Sequence, residues 1–132
     1  MRRMTLRMYT PRFDGKGPDR VYLAYLGYSY TRDPRGTAAE VKELAKKILV
    51  ARDDIILVVP HFTFDAIWDF PVGNSHPELS RLEVELINRV DMFIYEPEDL
   101  RHSPGTRWEK SVAETLKKPV FTVNEVIEGA KP

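Results

Sequence analysis

The chain has 132 residues and no cysteine. Disulfides and thiolate chemistry are therefore excluded, and the redox compartment is left open. There is no net charge either, because 20 Lys and Arg balance 20 Asp and Glu. No global field draws such a chain to nucleic acid or to an anionic membrane. No apolar run approaches the ~20 residues that span a bilayer, and the basic first ten residues lack an apolar signal core. A cytoplasmic protein with no nucleic-acid or membrane partner is expected. The histidines are few, His61, His76 and His102, and none is spaced as a metal pair. No metal and no cofactor is expected. GKGPDR lacks the spacing and the hydroxyl of a P-loop, no G-x-G-x-x-G follows the first apolar run, and no G-x-S-x-G elbow occurs. Dinucleotide binding and acyl transfer are thereby disfavoured.

What is present is enough apolar sequence, 42%, for one core. Residues 1–19 form a basic arm in which Arg2, Arg3, Arg7 and Arg12 precede the first acid, Asp14. Met4, Leu6 and Met8 alternate there as in an edge strand. From residue 20 to 132 the pattern is regular. RVYLAY (20–25) reads as a first strand, and TAAEVKELAKKILVA (37–51) as a helix opened by a Thr37/Glu40 capping box. DDIILVVP is a continuous apolar strand stopped by Pro60, of the kind buried on both faces. Residues 61–75 are an aromatic-rich loop, long enough to be functional. HPELSRLEVELINRV follows as a helix with Pro77 at N1 and a buried stripe of Leu79, Leu82, Leu86 and Val90. DMFIYEP is a third strand, 102–117 a helix and KPVFTV a fourth strand. This alternation implies a single α/β domain, a three-layer sandwich with a mainly parallel, Rossmann-like sheet of four to five strands and right-handed crossovers.

Open parallel sheets bind ligands beyond the carboxyl ends of their strands. Here those ends lead into LGYSYTRD, HFTFDAIWDF and EPEDLRHSPGTRWE. The last feeds a helix whose start favours an anion, which would keep Glu109, expected in the first turn or so, ionised. An ionised carboxylate at a pocket mouth is a nucleophile for an electrophilic carbon. The same residues also fit an ordinary helix start, with Ser103 as N-cap and Pro104 at N1. A Thr106/Glu109 capping box would fit as well, with Trp108, Val112 and Leu116 as core. His61, past the second strand, is a further residue that could face a pocket. Tyr28, Tyr30, Phe62, Phe64 and Trp68 are aromatics for stacking on a base or for core.

The chain resembles the nucleoside 2-deoxyribosyltransferase-like family, including its branch of 2′-deoxynucleoside 5′-phosphate N-hydrolases. Ser103, Gly105 and Glu109 in SPGTRWE match that family's S-x-G-x-x-x-E signature. EVELINRVDMFIYEP is similar to the helix and strand ahead of it, with Glu83 in the opening acidic position and Asp91 in the closing one. AETLKKPVF is similar to the passage into the next strand, so the resemblance spans roughly 20–125. It implies cleavage or transfer at the N-glycosidic bond of a (deoxy)nucleoside or its 5′-monophosphate, with retention. Glu109 would be the nucleophile, Glu83 the acid toward the leaving base, and Tyr22 a hydrogen-bond donor to Glu109. Ser103, Gly105 and Ala24 would contact substrate. It also implies a homo-oligomer, with Asn124 as the residue lent to a neighbour's site. The chain departs from the pattern by carrying Glu83 in place of aspartate, and Tyr25–Leu26 where the family has Gly-Pro. A non-catalytic nucleotide-binding module on the same fold is the alternative.

Overall fold

The computed structural model describes residues 18–29, 34–60 and 77–132, the side chains of 34–37 and 77–79 excepted. In chain order the elements are β1 (Tyr22–Gly27), α1 (Pro34–Ala51), β2 (Ile55–Val58), α2 (Pro77–Arg89) and β3 (Met92–Tyr95). Then come α3 (Pro97–His102), α4 (Pro104–Thr115), β4 (Val120–Thr122) and α5 (Val123–Ile127). The sheet has four strands in the order β2-β1-β3-β4, and every pairing is parallel. This is the expected α/β sandwich.

Leaving β1, the chain moves first to one neighbour, β2, and later to the other, β3. Right-handed crossovers in opposite directions send their helices to opposite faces of a sheet. One face is covered by Val41 and Ile48 of α1 with Val123 and Val126 of α5, packed on Ala24, Leu26, Met92 and Ile94. The other is covered by Ile87 of α2 and Ala113 of α4, packed on Tyr25 and Phe93. Successive residues of a strand point to opposite faces. That alternation assigns Tyr22, Ala24 and Leu26 to the first layer, and Leu23, Tyr25 and Gly27 to the second. Between β1 and β3 the chain direction along the sheet reverses, and their carboxyl ends, Gly27 and Tyr95, lie side by side.

Several local expectations are corrected. Helix α1 begins at Pro34, three residues before Thr37. The T-x-x-E there is therefore interior helix, and Glu40 instead accepts from the Tyr28 hydroxyl at 3.1 Å. The segment read as one helix over 102–117 is two, because Ser103 is extended (φ −117°, ψ 103°) and ends α3 while capping α4. On α2 Ile87 is fully buried, as is Val90 just past the helix end, whereas Leu82 and Leu86 are only half-buried. The inward stripe thus runs through 83, 87 and 90, at helical spacing. The basic arm up to residue 17, the loop 61–75 and the side chain of Leu79 lie outside what the structure describes.

Far from the reversal point, Arg52 and Asp54 form a buried bidentate pair, Nε to Oδ1 at 2.8 Å and Nη2 to Oδ2 at 2.9 Å. Arg52 Nη1 also donates to the carbonyls of Val126 and Ala130, at 2.8 and 2.9 Å. One side chain thus ties the start of β2 to the end of α5. Asp91 accepts from the Leu23 amide at 2.8 Å and returns its own amide to the Leu23 carbonyl at 2.7 Å. Its place is at the amino end of the sheet, fixing the β1–β3 register.

Candidate active site

Helix α4 starts with Ser103 accepting the Thr106 amide at 3.1 Å, and Pro104 at N1 has no amide to satisfy. Ser103 is the cap, so the alternative box using Thr106 and Glu109 does not form. The buried residues of α4 are Thr106, Glu109 and Ala113, one stripe at i, i+3 and i+7. Trp108, expected in the core, is off that stripe and 40% exposed. Glu109 therefore occupies an inward position that an apolar residue would ordinarily fill.

Its partners come from two other elements. The Tyr25 hydroxyl of β1 makes a short hydrogen bond to Glu109 Oε2 and lies 3.3 Å from Glu83 Oε2 of α2. Tyr25 itself is fully buried and stacked on Phe93, with ring centroids 5.5 Å apart. Two acceptors of one hydroxyl are at most about 7 Å apart. A phenol supplies one proton and can satisfy only one of the two carboxyls within its reach, so a further proton on a carboxyl relieves the pair. Burial pushes the Glu109 carboxyl well above the usual carboxylate range, and the Glu83 charge raises it further. Asp99 adds to that rise, while the Tyr25 hydrogen bond opposes it. Glu83 is raised by burial too, and hydrogen bonds from Glu109 and Tyr25 lower it in part. Burial, with the two carboxylates beside it, holds the Tyr25 phenol far above its ordinary value. The expected ionised Glu109 is thus corrected. It is the sixth residue of α4, beyond the first turn where the helix dipole acts, and desolvation dominates.

The fold brings Glu83 and Glu109 together and holds Ser103 two turns upstream on the same helix end. It does not bring Tyr22 to Glu109. Tyr22 belongs to the opposite layer, at the amino end of β1, and its ring lies 5.0 Å from the Arg20 guanidinium carbon. Tyr25 takes the role expected of Tyr22, because three positions along a strand reverse the face. Ala24 is fully buried in the α1 layer, away from the carboxyls. Asn124 is exposed in the first turn of α5. His61, Tyr30, Phe62, Phe64 and Trp68 lie outside the described residues.

Gly27 and Asp99 were not anticipated. A Cβ on Gly27 would sit 2.6 Å from Phe93 Cζ and 3.4 Å from Glu109 Oε1, so a side chain there would invade the site. Asp99 of α3 is 3% exposed and accepts the Ser29 amide on both oxygens at 3.1 Å and the Thr106 hydroxyl at 2.8 Å. A glycine ending a strand was legible as a signal; an acid in PEDLRH was not. Gly105 is different, since a Cβ there meets only Ser103 Oγ at 3.9 Å. Packing within the chain does not demand glycine at that exposed position.

Among the described residues, no group of three or more His, Cys, Asp or Glu is arranged to hold a metal ion. Nor is any helix there long and apolar enough to cross a membrane. Compared with known proteins, the chain matches no family model and no curated sequence.

Proposed function

We propose that this chain cleaves the N-glycosidic bond of a (deoxy)nucleoside or its 5′-monophosphate with net retention, by hydrolysis or by transfer to a second base. One observation carries the reading. Two carboxyls, the buried Glu109 and the half-buried Glu83, meet at a single buried tyrosine hydroxyl at the carboxyl end of a parallel sheet. A proton shared by two acids divides them into an acid and a nucleophile. Contact with one shared hydroxyl suits the close carboxyl spacing of retaining glycosidases better than the roughly 6.5–9.5 Å of inverting ones.

At rest the more deeply buried Glu109 holds the proton and donates it to Glu83. When substrate binds, that proton passes to Glu83, leaving Glu109 ionised beside C1′. Glu83 then protonates the departing base as the C1′–N bond breaks, and a Glu109 oxygen forms the new bond to C1′. Tyr25 keeps its hydrogen bond to Glu109 and orients the attacking oxygen. In the second step Glu83, now a carboxylate, takes a proton from water whose oxygen attacks C1′. The C1′–Oε bond breaks, and the pair regains its single proton. An acceptor base in place of water gives transfer. The exposed Gly105 and the start of α4 suit a close approach by the sugar or its phosphate, and two displacements at C1′ give retention.

The test is base release, followed by chromatography, from a panel of ribo- and deoxynucleosides and their 5′-monophosphates, with and without an acceptor base. Wild type is expected to release base from at least one, and Glu109→Ala from none. If no substrate reacts while a nucleotide still raises the melting temperature, the chain is a binding module on the same fold.

A further inference from the structure

We infer that Asp99 is a positioning residue that staples the crevice between β1 and β3 and thereby seats Glu109 against Tyr25. The inference rests on the glycosidic reading of that site. Its geometry begins at the reversal point, where the chain leaving β1 and the chain leaving β3 part toward opposite layers. Such a crevice has no strand pairing of its own to fix its width.

Asp99 spans it. From α3, on the β3 side, its carboxylate accepts the backbone amide of Ser29, two residues past the end of β1, at 3.1 Å on each oxygen. The same carboxylate accepts the Thr106 hydroxyl at 2.8 Å, and that hydroxyl lies 2.9 Å from Ser103 Oγ. Ser103 is the sole residue between α3 and α4, so the hinge of the two helices is closed by this network. Thr106 and Glu109 are one turn apart on the same face of α4. Rotation of α4 about its axis that would swing Glu109 off Tyr25 therefore has to break the Asp99–Thr106 bond. Asp99, Ser103 and Thr106 are each 5% exposed or less, so water does not readily replace these bonds.

On the other side of the same loop, the Tyr28 hydroxyl donates to Glu40 of α1 at 3.1 Å. Successive residues after β1 are thus held from both layers, Tyr28 by α1 and Ser29 by α3. The wall facing Glu109 is anchored on each flank before any ligand arrives, which is what a reaction needing sub-ångström placement requires.

Asp99 also acts on Glu109 through its charge. Among the described residues the acid groups facing Glu109 are Tyr25 from β1, Glu83 from α2 and Asp99 from α3, and the Asp99 charge helps to keep the Glu109 proton in place. Position and charge can be separated by substitution. Asp99→Asn removes the charge and one acceptor oxygen, Thr106→Val removes the donor but leaves the charge, and Thr106→Ser keeps both.

The experiment uses the full chain with two readouts. The first is titration of the Glu109 carboxyl by carbon-13 NMR in glutamate-labelled protein, assigned by the signal lost in Glu109→Gln. The second is kcat and KM for base release against pH. Asp99→Asn is expected to lower the Glu109 midpoint, to shift the acid limb of kcat/KM the same way, and to reduce kcat by roughly 10–100-fold with a smaller change in KM. Thr106→Val should lower kcat without lowering the midpoint, and Thr106→Ser should restore wild-type values. Asp99→Asn or Thr106→Val proteins that melt lower but keep the wild-type midpoint and kcat would show a merely structural Asp99 and overturn the inference. Should Asp99→Asn fail to fold, the Thr106 pair decides between the same two outcomes. A wild type that releases no base from any substrate defeats the glycosidic reading alone, because the NMR titration still reports whether Asp99 governs Glu109.

Discussion

Replacing Gly27 by alanine probes the tightest contact of the site. The added Cβ would stand 2.6 Å from Phe93 Cζ, where ordinary contact begins near 3.4 Å, so ring or strand must yield by close to an ångström. Phe93 is fully buried and stacked on Tyr25, which leaves the ring no open side. Overpacking of this kind costs about 1–3 kcal/mol, which lowers the melting temperature of a domain this size by roughly 4–15 °C. The displaced ring pushes on Tyr25, and the Cβ also lies 3.4 Å from Glu109 Oε1. Activity should therefore fall further than stability. Gly105→Ala is the matched control, since its Cβ meets nothing closer than Ser103 Oγ at 3.9 Å. It should leave stability unchanged or raise it, by up to about 1 kcal/mol for alanine over glycine in a helix. Thermal melts on both variants, with base release on Gly27→Ala, make the check. A Gly27→Ala protein as stable and active as wild type would refute the reasoning.

Two further outcomes concern pH. Glu109 and Glu83 have folded-state pKa values above their unfolded ones, so the stability they contribute is fully present below the ordinary glutamate range and is lost as pH rises through the raised values. Glu109→Gln should remove much of that slope and be about 0.5–2 kcal/mol more stable than wild type at pH 8, by urea melts; an unchanged slope would contradict the shared proton. Asp54 behaves oppositely. The Arg52 hydrogen bonds hold its pKa down, so its contribution is present above the ordinary aspartate range and disappears as pH falls through the lowered value. Asp54→Ala leaves Arg52 buried without its carboxylate and should cost about 3–5 kcal/mol near neutral pH. That loss should shrink in acid.

The layer order of the fold was legible because its strands are unbroken apolar runs, IILV and MFIY among them, and only a sheet covered on both faces buries such runs. Glu109 and Glu83 were singled out by the resemblance of SPGTRWE and EVELINRVDMFIYEP to a family pattern, since helical periodicity alone fits a helix start and a helix flank equally well. What was hidden depended on facing. Tyr22 and Tyr25 are equivalent in composition, and only the register of β1 against β3 decides which looks toward α4. Trp108 reads as core by residue type, yet α4 turns Thr106 and Glu109 inward because their hydroxyl and carboxyl find buried partners. The break at Ser103 was masked by two helical segments with compatible periods. The Thr37/Glu40 motif was misleading because capping pairs also occur inside helices, and Pro34 had already started α1. Asp99 had no sequence signal, since its role comes from an amide 70 positions away.

The most direct test of Glu109 as the nucleophile is the mass of the protein after incubation with a slowly turned-over 2′-fluoro nucleoside, without acceptor. The expected result is a gain of one sugar, mapped by peptide digestion to Glu109 and absent from Glu109→Gln. Base release with no adduct, or an adduct on any other residue, would contradict the mechanism.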